Sequence, residues 1–105
     1  MSTKQLQGKW GGFSDKVFFD NDTATDRARA CCVLFRDEVA FAVNDGKPFA
    51  GFVPIYYQTQ VVAGINYKIL VMVSDQVGAR GHVMMEVFWP PGPKAMPELT
   101  CAKRE

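Results

Sequence analysis

The chain has 105 residues, of which 48% are apolar, enough to build the core of one domain and too few for two. Twelve basic against eleven acidic side chains leave a formal charge of +1, so the long-range field that draws proteins onto nucleic acid or anionic membranes is missing. The longest unbroken apolar run, residues 30–35, falls far short of the ~20 residues that a spanning helix needs, which argues against a membrane partner.

The first eight residues lack the apolar block of a secretory leader, so the expectation is a cytoplasmic chain or one whose leader lies upstream of this numbering. Three cysteines cannot all pair, and Cys31 and Cys32 are adjacent, which suits free thiols in a reducing compartment.

Residues 1–15 hold three glycines, many polar groups and the isolated Trp10, without a helical or strand period, and are expected to form a mobile arm ahead of a single domain over 16–105. A short strand is predicted over 16–19. Asp20, Asn21 and Asp22 favour helix caps and place a helix start there. Ala24, Ala28, Cys31, Phe35, Val39 and Ala42 then recur at steps of three and four, the stripe of a surface helix with one buried side. Asn44, Asp45 and Gly46 tolerate left-handed backbone and close the helix near Val43.

Beyond Pro48 the period drops to two. A strand is predicted over 49–60, with Pro54 forcing an edge or a bulge. Ile65, Tyr67, Ile69, Val71 and Val73 alternate with Asn66, Lys68, Leu70, Met72 and Ser74 and define the clearest strand, the first set facing the core. Residues 75–79 read as a turn, 82–88 as a strand, 89–93 as a second turn and 96–101 as a last strand. The outcome is an α+β fold in which an antiparallel meander is covered by its one amphipathic helix.

No constellation for catalysis stands out. His82 is the one histidine, a helical Cys31 or Cys32 is usually a small core hydrophobe, and the acidic groups cluster near the helix start where the dipole favours them. Ligand pairs for zinc and a phosphate-cradling glycine loop are both missing, so neither metal nor cofactor is expected. A Cys101–His82 enzyme is a distant third reading.

The informative residues are apolar ones in loops. Gln60, Val61, Val62, Ala63 and Gly64 join two strands, yet three of the five are apolar, and Trp89, Pro90 and Pro91 repeat the anomaly in the next loop but one. Alternate connections of a meander emerge at one end of the sheet, so these tips are neighbours, with Trp10 of the arm as a third element. Such a patch marks a binding surface.

These residues resemble the cystatins, above all their single-domain intracellular branch, the stefins. Gln60 to Gly64 matches the QxVxG signature without departure, and Gly11 and Gly12 are similar to the amino-terminal glycine element, with Gly11 the closer equivalent. Phe88, Trp89, Pro90, Pro91, Gly92 and Pro93 depart from the second hairpin of either branch, and the four half-cystines of secreted cystatins are absent.

The resemblance covers residues 11–100 or so. It implies one long helix wrapped by a five-stranded antiparallel sheet, and reversible tight inhibition of papain-like cysteine proteases such as cathepsins, with no catalytic group. It assigns Lys9 and Trp10 to the non-primed side of the cleft, with Gly11 turning the arm past the catalytic thiol and Gly12 beside it, Val61, Val62 and Ala63 to the cleft centre with Gln60 opening their loop, Gly64 to close approach, and Trp89, Pro90 and Pro91 to the primed side. It also implies a mainly monomeric protein able to form a domain-swapped dimer. The altered second hairpin supports an alternative, an interaction or carrier protein that keeps the scaffold without inhibiting proteases.

Overall fold

A computed structural model describes residues 12–105. Strand β1 (Val17–Phe18) leads into helix α1 (Asp26–Val43), and β2 (Gly51–Val62), β3 (Gly64–Ser74), β4 (Arg80–Trp89) and β5 (Glu98–Arg104) follow as hairpins. The strands form one antiparallel sheet in chain order, β1-β2-β3-β4-β5. One helix packed on a five-stranded antiparallel sheet is the predicted α+β layout.

The core follows from two periodicities that meet. Tyr67, Ile69, Val71 and Val73 on β3 bury every second side chain, and Val83, Met85 and Val87 continue that inner face on β4, where Met84 of the opposite phase is buried as well. From α1, Ala28, Cys31, Cys32, Phe35, Val39 and Ala40 close over them. The stripe leaves Val39 by a step of four to the half-buried Val43, so Ala42, expected inside, is exposed. Cys32 and Ala40 widen the buried arc instead.

Beneath the first turns of α1 a row of rings crosses the sheet. Phe19 and Tyr57 lie 5.2 Å apart between centroids, Tyr57 and Tyr67 6.2 Å, and Tyr67 and Trp89 6.4 Å. The helix holds this row at both ends, with the Arg29 guanidinium 5.7 Å above Phe19 and that of Arg27 4.8 Å above Trp89. In the middle, the Thr25 N–H donates to the Tyr57 hydroxyl at 3.1 Å. Each ring pair adds about 0.5–1.5 kcal/mol beyond area burial, so the row fixes where the helix begins.

Several boundaries differ from the prediction. The N-cap is Thr25, whose hydroxyl accepts from Ala28 N–H, because Asn21 spends its side chain on the Thr23 N–H in a local turn. The arm boundary moves toward the amino terminus: Ser14 N–H donates to Thr59 O at 2.7 Å, Thr59 N–H to Ser14 Oγ at 3.0 Å, and the Gln58 amide to Ser14 O. Strand β2 runs on to Val62, and its register shifts between Pro54 and Tyr56, the bulge that the proline required.

Strand β4 starts two residues early and takes in Trp89. Strand β5 is displaced to Glu98–Arg104; its charged end stays in the sheet because Arg104 reaches across to Val43 O and Asn44 Oδ1. The helix closure holds as read, with Asp45 (φ 53°) and Gly46 (φ 77°) both left-handed.

Candidate functional site

The β2–β3 hairpin is paired to its tip. Val61 faces Ile65 and Val62 faces Gly64, which leaves Ala63 alone to turn the chain. At the tip Val61 is 73% exposed and Val62 42%, although both belong to a strand rich in apolar residues. Just inside the tip, the Asn66 amide donates to Gln60 Oε1 at 3.0 Å, a cross-strand bond that ties Gln60 to the opposite strand.

Gly64 joins this hairpin to the next. Its φ of 120° strains any other residue, and a Cβ there would lie 2.6 Å from the Trp89 carbonyl oxygen and 2.9 Å from the Phe88 ring. The close approach that requires glycine is therefore internal: β3 and the end of β4 touch at this point. Because Ile65 pairs with Trp89, the two hairpin tips leave the sheet side by side.

The amino-terminal segment points to the same end. Val17 pairs with Tyr57 and Ser14 bonds to Thr59, so from Val17 back to Ser14 the backbone runs along β2 in the direction of Val61. Phe13 lies under the Lys68 ammonium at 5.4 Å on the outer face of the sheet. Gly12 is exposed, with open space where a Cβ would stand. Lys9, Trp10 and Gly11, expected to contribute to the same surface, lie outside the described residues.

Trp89 requires a correction. Expected as an exposed anchor in a turn, it is the last residue of β4 and half-buried against the core, edge-on to Tyr67 and under Arg27. A signal for this is present in the chain, since Val83, Met85, Val87 and Trp89 share one period-two phase and hence one face. Pro90 and Pro91 do lie in the connecting loop, Pro90 half-buried and Pro91 exposed, so of the second group only Pro91 stands fully in solvent.

Arg27 was missed as a member of this end of the molecule. It precedes Cys31 by one turn and so sits toward the same side of the helix, with its guanidinium over the ring of the last β4 residue. Burial pushes the Tyr67 phenol up from its ordinary range, the nearby Cys31 adds to that, and the Arg27 cation pulls the other way.

The thiols are not part of the site. Burial pushes Cys31 and Cys32 up to about 12, with the Cys32 Sγ–H donating to Ala28 O at 3.6 Å. Both are free, and Cys101 is free and exposed on β5. Among the described residues no group of three or more His, Cys, Asp or Glu side chains gathers where an ion could be held, and no helix is long and apolar enough to cross a membrane.

What the end of the molecule presents is thus a protruding ridge of paired backbone with valine side chains at its crest, flanked by a proline-rich loop and by the exit of the amino-terminal segment. Such a surface can bury apolar area in a groove. No family model, no curated protein and no solved structure matches this chain.

Proposed function

We propose that the protein is a reversible, tight-binding inhibitor of papain-like cysteine proteases and that it acts by filling the active-site cleft. The observation that carries this reading is the exposed Val61–Val62 crest of the hairpin, with the QxVxG residues at its tip and the second hairpin locked beside it at Gly64. A substrate must lie extended in such a cleft with its scissile bond beside the thiolate. The tip cannot, because pairing from Gly51–Ser74 through to Val62–Gly64 holds its backbone in a hairpin. Occlusion without cleavage follows.

On this reading Val61 and Val62 enter the cleft centre, Pro91 lies on the primed side, and Gly12 leads Lys9, Trp10 and Gly11 toward the non-primed side. The hairpins, already paired before binding, carry most of the affinity. Gly64 serves the contact indirectly, by letting the two tips touch. Two buried thiols and one exposed free thiol suit a reducing compartment, which supports a cytoplasmic setting.

Titration of papain tests the proposal: stoichiometric, active-site-competitive loss of activity is expected, and an unaffected rate at micromolar excess overturns it. The inward Trp89 favours a second reading, a scaffold that binds another protein and leaves proteases alone, because the second hairpin then presents little apolar area. Measurable affinity for a catalytically blocked cathepsin decides against that alternative.

A further inference from the structure

Arg27 stands where helix physics disfavours it. With Thr25 as N-cap, it is the second residue of α1, at the end whose partial positive charge repels cations. Its guanidinium nevertheless lies 4.8 Å from the Trp89 ring centroid and beside the Tyr67 phenol.

Trp89 is the junction of this end of the fold. Its ring meets Tyr67, its carbonyl abuts Gly64 of the first hairpin, and its backbone opens the loop of the second. That loop, residues 90–97, has little holding it otherwise: its one described internal backbone hydrogen bond runs from Ala95 N–H to Gly92 O at 3.3 Å. The seating of Trp89 therefore governs where the second hairpin points relative to the first.

We propose that Arg27 is a positioning residue for protease binding, one that touches no protease atom and acts through Trp89 to hold the second hairpin in its bound orientation. This rests on the inhibitor reading above. Because the clamp is formed before binding, its loss should appear in dissociation more than in association.

The experiment compares Arg27→Lys and Arg27→Gln with the parent. Acrylamide quenching is measured in a Trp10→Phe background, where Trp89 is the one remaining tryptophan, and inhibition of papain is measured with Trp10 in place. Arg27→Gln is expected to raise the Trp89 quenching constant about twofold and to speed dissociation from papain about five- to tenfold, with the urea midpoint nearly unchanged. Arg27→Lys, which keeps the cation over the ring but loses the planar stack, should recover part of both.

Faster dissociation without Lys rescue, or Trp89 loosened with dissociation unchanged, overturns the positioning role. An inhibiting parent whose Arg27→Gln variant is unaltered in both readouts overturns this inference alone. A parent that leaves papain untouched overturns the inhibitor reading first, and the quenching arm then still decides whether the clamp exists.

Discussion

The two hairpins at the binding end hold their shape by different means. The first is rigid through its backbone: strands of twelve and eleven residues pair up to a single turning residue, so Val61 and Val62 can stand exposed at no cost to the fold. The second has an eight-residue connection between paired strands and is held at its root, where Trp89 faces inward under Arg27 and against Tyr67. An apolar residue beside a loop can thus be a contact or an anchor for the loop itself. Which it is depends on its phase in the strand, not on its distance from the turn.

Gly64 is where the comparison breaks most severely, because it belongs to both hairpins. Gly64→Ala places a Cβ against the Trp89 carbonyl at a backbone angle that suits only glycine. Strain and overpacking together should cost about 3 kcal/mol in urea unfolding, and papain inhibition should weaken about 100-fold as the tips separate. A variant of unaltered stability would show that the two tips do not meet at this residue.

The next test reverses the roles of two apolar residues. Val61→Asp leaves stability within about 0.5 kcal/mol, since the side chain is already in solvent, and weakens inhibition about 100-fold. Trp89→Ala removes a half-buried ring with one aromatic and one cationic neighbour, so it should cost about 2–3 kcal/mol of stability and weaken inhibition only about tenfold. Equal stability losses in the two variants, read from urea midpoints, would erase the distinction between contact and anchor.

Much of this was legible beforehand, and most of the misses involve contacts between distant parts of the chain. The alternation from Ile65 to Val73, the bulge demanded by Pro54 and the left-handed closure at Asp45 and Gly46 are local properties, and local chemistry decides them. Thr25 lost the cap position to Asp20, Asn21 and Asp22 in the reading because nothing local tells that Tyr57, thirty-two positions on, receives the Thr25 N–H. Likewise Ser14 is tied down by Thr59, Arg104 by the end of the helix, and Trp89 by Arg27. At the candidate site the Val61–Val62 crest was readable as apolar residues in a turn. The inward Trp89 was misread because two prolines after it suggested a loop, although its own phase already placed it on the core face.

The thiols give the smallest expected effect at the binding end and so test whether the ridge acts alone. A thiol-reactive disulfide reagent at pH 8 should modify one cysteine in the folded protein, the exposed Cys101, and reach Cys31 and Cys32 only on unfolding. Papain inhibition by the singly modified protein should be unchanged, because Cys101 pairs with Glu86, several residues from the β4 end at Trp89. The buried pair also sets an alkaline limit. Burial raises both from 9.0 to about 12 in the folded chain, so below pH 9 they are protonated whether the chain is folded or not, and their contribution is fully present. Between pH 9 and 12 the unfolded chain releases protons that the folded chain keeps, and stability falls by up to about 1.4 kcal/mol per pH unit for each thiol. Urea midpoints measured across that range should fall less steeply in Cys31→Ala, once its lower baseline is subtracted; an unchanged slope would mean that water reaches Cys31 between the helix and the sheet.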